Sequence, residues 1–182
     1  MKNTVLLICI LICGISSSTY AQETEEINSN WGLGFHIKQN QQDFGLGVNM
    51  TSPYFAQKKV ALRVRANLLF NEHINNTNIT TWTPYSSMSL GIIGVAGKIG
   101  EFIRLYSEGG LTLLLPSSEF SSESTVLGGY GLFGFEFFMH QSANYFIEIG
   151  GVGTGASADK IVGNPIYSNG LMINVGYRYV FK

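Results

Sequence analysis

The sequence predicts an all-β fold, an eight-stranded antiparallel up-and-down transmembrane β-barrel, and three observations carry that reading. From Trp31 to the end of the chain, apolar residues recur with a period of two, the mark of strands with two unlike faces. Charged residues make up 13% of the chain, against the roughly 25% usual in a soluble domain, and the net charge is -1. The face opposite the apolar one is rich in Gly, Ser and Asn, not in the Lys, Glu and Asp that keep a soluble barrel dissolved. The same figures exclude a polybasic nucleic-acid binder and an acidic tail protein.

The chain begins with a targeting pattern: Lys2, an unbroken apolar run from Val5 to Cys13, then small polar residues up to Ala21. Residues 1–21 are expected to be a cleaved signal peptide, because so short an apolar run falls well below the ~20 residues of a spanning helix. Cys9 and Cys13 both lie in that segment, so the mature chain has no thiol, and Ile12 before Cys13 argues against lipidation. Residues 22–30 (QETEEINSN) read as a polar leader and residues 31–182 as the barrel domain.

Alternation is clearest from Val60 to Phe70, where Leu62, Val64, Ala66 and Leu68 share one face and Arg63, Arg65 and Asn67 the other. Asp43 to Thr51 and Leu171 to Phe181 repeat it, and strands are expected also at Trp31–Lys38, Tyr85–Lys98, Phe102–Leu115, Val126–Met139 and Tyr145–Gly155. In the fourth strand Ile92 and Ile93 are adjacent while Gly91, Gly94 and Gly97 break the alternation, which predicts a bulge. Pro53, Pro84, Pro116 and Pro165 are expected between strands or at their ends, since proline cannot donate to a ladder. Asn71–Pro84, Pro116–Thr125 and Ala156–Asn169 then read as long loops on one end of the barrel.

The apolar face is almost free of charge, as contact with lipid requires, because Lys or Arg there costs ~2–4 kcal/mol at mid-bilayer. The polar face carries Lys38, Arg63, Arg65, Arg104, Glu108, Glu136, Glu148 and Arg178, and is assigned to the interior. Trp31, Tyr54, Phe55, Phe102, Phe137, Tyr145, Tyr177, Tyr179 and Phe181 gather at the end with the shorter turns, and are expected to form an aromatic girdle on the periplasmic side.

This pattern, together with the terminal GYRYVF of Gly176 to Phe181, resembles the small eight-stranded outer-membrane β-barrels of Gram-negative bacteria, the OmpA/OmpX-like or porin-family group. The resemblance covers Trp31 to Lys182 and implies a monomer in the outer membrane, in contact with its lipid and delivered by the barrel assembly machinery. Lys182 departs from it, since the family usually ends on the aromatic residue itself.

No catalytic, cofactor-binding or metal-binding residue is assigned. The glycines of Gly151–Ala156 follow a strand as in a dinucleotide fingerprint, but Gly163 and Pro165 interrupt the helix that must follow. His36, His73 and His140 lie far apart without carboxylates or thiols at ligand spacing. His73, Glu72 and Ser86 or Ser87 lie near the rim as an esterase constellation would, but the rim loops of any barrel are rich in such residues. The strongest constellation is the lumen set Arg63, Arg65, Arg104, Glu108, Glu136, Glu148 and Arg178, whose charges either pair and fill the barrel or line a narrow conduit. Trp82, Ile161 and Tyr167, apolar residues on polar loops, are candidate contacts for an extracellular partner. The expected role is surface interaction or envelope integrity, with a porin-like conduit as the alternative.

Overall fold

The computed structural model describes residues 30–74, 79–100, 102–140 and 142–181. The expected signal peptide, nearly all of the leader, and Lys182 lie outside these residues. Eight strands follow in order: β1 (Gly32–Asn40), β2 (Asp43–Thr51), β3 (Val60–Ile74), β4 (Thr80–Ile99), β5 (Ile103–Leu115), β6 (Val126–His140), β7 (Ala143–Gly153) and β8 (Gly170–Val180). Each pairs antiparallel with the next, and β1 closes on β8 from Gly32↔Val180 to Asn40↔Met172, giving a closed barrel. Closure pairs the backbone polar groups around the barrel and leaves no sheet edge in the apolar zone.

The faces fall as the alternation requires. Leu33, Phe35 and Ile37 of β1, Leu62, Val64 and Leu68 of β3, and Leu171 to Tyr179 at alternate positions of β8 are exposed on the outside, whereas His36, Arg63, Arg65, Asn174 and Arg178 are buried within. The expected bulge lies in β4, where Ala96 is left over between Val95 and Gly97. A second irregularity falls between Phe138 and His140 at the end of β6.

The interior is not polar throughout. Ala61, Ile93, Tyr106, Leu132, Val152 and Met172 form one apolar cluster in the lumen, and Leu69, Tyr85, Leu114, Phe120, Ala156, Ala158 and Tyr167 form another at the end away from the chain termini. Some glycines are required by this packing: the Tyr106 ring lies where a Cβ on Gly134 would sit, and the Tyr130 hydroxyl where one on Gly91 would sit.

Three expectations are corrected. Asn71–Pro84 is mainly strand, not a long loop, because β3 and β4 continue past the rim as a two-stranded arm paired from Asn71↔Thr83 to Ile74↔Thr80. Alternation persists there, with Asn71 and His73 buried and Ile74 and Trp82 exposed, and Thr80, Thr81 and Thr83 are β-branched. Pro84 consequently lies inside β4, opposite Phe70. It is tolerated because pairing of β4 with β5 begins only at Ser86, so Pro84 stands on an edge. Tyr54, expected in the outer girdle, instead turns inward beneath Arg104, whose guanidinium carbon lies 4.6 Å from its ring centroid. Of the other girdle residues, Trp31, Phe55, Phe102, Tyr145, Tyr177, Tyr179 and Phe181 face outward, with Tyr145 on Tyr177 and Tyr179 on Phe181 edge to face, while Phe137 is half-buried.

Candidate functional site: the filled lumen and its cap

Residues two apart on a strand share a face, so Arg63 and Arg65 of β3 both enter the lumen and reach across it to Glu108 on β5 and Glu148 on β7. Arg63 Nη1 donates to Glu108 Oε2 at 2.7 Å and to Glu148 Oε1 at 2.9 Å, and its Nε donates to Thr51 Oγ1 at 2.9 Å. Arg65 makes four bonds: Nε to Glu108 Oε1 at 3.1 Å, Nη2 to Glu108 Oε2 at 2.6 Å and Glu148 Oε1 at 2.9 Å, and Nη1 to Glu148 Oε2 at 2.8 Å. Neutral donors complete the carboxylates: Tyr130 on Glu108, and Tyr106 and Asn174 on Glu148. Two guanidinia and two carboxylates thus form a charge-balanced square that ties opposite walls together, the arrangement that makes burial of charge tolerable.

Nearer the termini, Arg104 and Glu136 face each other in the β5–β6 register, and Arg178 from β8 joins them, so that one carboxylate serves two guanidinia. Arg104 also donates to the Tyr54 hydroxyl at 3.0 Å and lies 5.1 Å from the Phe138 ring centroid. Arg178 packs 4.7 Å from the Phe146 ring centroid. All seven lumen residues singled out from the sequence are therefore buried and joined in two ion-pair groups. Lys38 differs. It is buried beside a void of about 10 Å³ lined in part by Arg65, Ser89, Tyr130 and Asn174, and no ion pair to it occurs among the described residues. Such a volume holds about one water.

The opposite mouth is closed by the distal loops, residues 116–125 and 154–169. Phe120 and Tyr167 enter it and meet Tyr85 edge to face, with ring centroids 4.9 to 5.9 Å apart. Here the loop-contact expectation is corrected for two of three residues. Tyr167 is 2% exposed and Ile161 packs against the same cluster, because the loops fold inward over the lumen and take their apolar side chains with them. Burial pushes the Tyr167 phenol up to about 12. Trp82 remains on the outside of the arm, 49% exposed, and Ile74, Ile79, Val162 and Ile166 are exposed as well.

Asp43 was not singled out from the sequence. Its carboxylate, buried at the start of β2, accepts hydrogen bonds from Asn71 Nδ2 at 2.8 Å, the Tyr85 hydroxyl at 2.6 Å and the Ser168 backbone N–H at 2.8 Å. Those partners lie 28, 42 and 125 residues away, so no local motif signals them. The esterase constellation is not assembled: Glu72 points out while His73 points in, and Ser87 sits lower in the barrel, opposite Asn67, where it accepts the bond from Asn67 Nδ2. His36 is held in the lumen between Asn67 and Asn49.

Most of the chain can be laid on solved barrels. The N-terminal β-barrel domain of Pseudomonas aeruginosa OprF matches with a TM-score of 0.56 at 14% identity, covering 85% of this chain and 98% of that one. The fold is that of the small eight-stranded outer-membrane barrels. The Yersinia pestis outer-membrane protein Ail, solved in a phospholipid bilayer nanodisc, matches with a TM-score of 0.50 at 13% identity, covering 84% of this chain and 99% of that one. No protein-family model and no curated protein sequence matches the chain.

Proposed function

We propose that this is an integral outer-membrane protein of a Gram-negative cell envelope, a monomer held by its apolar belt, which acts through its outer surface in surface interaction or envelope integrity and not by conducting solutes. The observation that carries this reading is obstruction at three heights: the Phe120–Tyr167–Tyr85 cap, the Arg63–Arg65–Glu108–Glu148 square, and Arg104 between Tyr54 and Phe138. Charges locked to one another cannot exchange ligands with a passing ion, which conduction requires. Lipid is then the partner of the belt and the barrel assembly machinery the partner in biogenesis, while the arm with Trp82 and the exposed Val162 and Ile166 offer contacts to an extracellular partner.

The test is conductance of the refolded protein in a planar bilayer, run beside Trp82→Ala and a Val162→Ser, Ile166→Ser double variant in cells. Background conductance, with the cellular phenotype lost in a surface variant, is the expected result. Steady single-channel currents from the intact barrel would replace this reading by the porin-like conduit.

A further inference from the structure

The cap is bonded strongly within itself and weakly to the barrel. Within residues 154–169, Ala158 N–H donates to Pro165 O at 2.9 Å and Tyr167 N–H to Ala156 O at 3.1 Å, while Ser157 and Ile166 bridge as a short hairpin. Residues 116–125 are fastened to it: Ser122 N–H and Oγ both donate to Asp159, Ser121 Oγ donates to Ser157 O, Lys160 N–H to Phe120 O and Lys160 Nζ to Ser118 O. Toward the strands the polar ties among the described residues are mostly long. Asn40 to Ser168 Oγ and Thr83 to Glu119 are each 3.3 Å, Thr154 beside the first hinge donates to Ser168 O at 3.1 Å and to Asn169 Oδ1 at 3.2 Å and accepts from Ala156 N–H at 3.2 Å, and the short one is the Ser168 N–H to Asp43.

Backbone geometry points the same way. Both ends of the longer loop carry glycine in the left-handed region, Gly155 at φ +66° and Gly170 at φ +88°, where the chain can swing at little steric cost. Ser168 is also left-handed, at φ 48°, a conformation disfavoured for a residue with a Cβ. It is held there with its N–H on the Asp43 carboxylate. A strained residue at the clasp and permissive residues at the ends are what a movable element needs.

We propose that residues 156–169, with 116–125 fastened to them, form one hinged lid on the barrel mouth, clasped by Asp43 through the Ser168 N–H, the longer segment swinging about Gly155 and Gly170. Release carries Phe120 and Tyr167 away and uncovers Leu69, Tyr85 and Leu114, together with Asn40 and Asn71, whose side-chain oxygens have no partner among the described residues in the closed form. The lumen square lies below the lid and stays paired, so an open lid uncovers a shallow chamber and not a pore.

Asp43→Ala tests this in detergent micelles, where the outcome does not depend on which side the mouth faces in a membrane. Alanine leaves the Ser168 N–H without an acceptor, whereas an amide would keep it, since the one oxygen that accepts from both Tyr85 and Ser168 would remain. Two readouts are followed: trypsin cleavage after Lys160, located by mass, and labelling by a maleimide of a cysteine placed at Ser121, which is buried in the closed lid. Both should accelerate by at least ~10-fold while β-type circular dichroism and heat-modifiable gel mobility persist. Unchanged rates in a folded Asp43→Ala barrel overturn the clasp, and acceleration at Lys160 without acceleration at Ser121 overturns the single lid. If Asp43→Ala does not fold, Ser168→Pro, which has no N–H for the carboxylate and cannot adopt φ 48°, must give the acceleration; none would overturn the proposal equally.

Discussion

Arg65→Met should destabilise the barrel far more than any substitution of similar size on its outside. Arg65 makes four charge-assisted bonds to Glu108 and Glu148, and all three side chains are almost wholly buried. Such bonds contribute ~1.5–3 kcal/mol each in isolation, but the sum overstates the loss, since the carboxylates keep other donors. Glu108 retains Arg63 and Tyr130, and Glu148 retains Arg63, Tyr106 and Asn174. What remains is a square with one positive charge against two negative, and breaking a buried pair in this way costs about 3–5 kcal/mol. Val64→Leu, one residue along and facing outward, should change stability by less than ~0.5 kcal/mol. Both are read by urea unfolding in lipid vesicles, followed by tryptophan fluorescence and gel mobility. The pairing itself is isolated by adding Glu148→Gln: the double variant removes one charge of each sign and should recover a substantial part of the loss, a coupling of at least ~1 kcal/mol in the cycle. Equal stabilities for Arg65→Met and Val64→Leu, or strict additivity in the cycle, would refute the charge-balance reasoning.

Glu136→Gln removes the carboxylate that Arg104 and Arg178 share and should also cost about 3–5 kcal/mol, measured by the same unfolding assay, while leaving the Arg63–Arg65 square intact. Cysteines at Asn164 and Gln57, both exposed and at opposite ends of the barrel, should differ on intact cells: a membrane-impermeant thiol reagent labels the first and not the second, and the reverse pattern would invert the assigned orientation. Hydrogen bonds from the Ser122 hydroxyl and backbone N–H hold the Asp159 carboxyl below its usual range. A carboxyl whose folded value is depressed contributes stability above the ordinary value and loses it as pH falls through the lowered one, so the loop-to-loop bond should survive mild acidification. Nuclear magnetic resonance titration of Asp159 should show the lowered midpoint, and Ser122→Ala should bring it back up; an unchanged midpoint in that variant would contradict the assignment.

Strand number, the two faces and the closed class of fold were legible in the sequence because they depend on a local property. Side chains alternate across a pleated backbone whatever the neighbours, so Val60–Phe70 declares an apolar outside and an Arg63, Arg65, Asn67 inside by itself. The lumen set was legible for the same reason, and the bulge near Gly97 because broken alternation is local too. Which charges meet was decided only by closure. Arg63 and Glu148 are 85 residues apart and touch because β3 and β7 stand across a barrel just wide enough for side chains to fill. Asp43, Tyr54 and Tyr167 were misread or missed where the backbone leaves the strand pattern or its partners come from distant segments. A tyrosine in a polar loop carries no sign of whether the loop projects or folds back, and burial of Tyr167 depends on Phe120 and Tyr85 arriving from two other parts of the chain. Periodicity is a property of one strand; a cap, a clasp and an ion-pair square are properties of several, brought within reach only when the barrel closes.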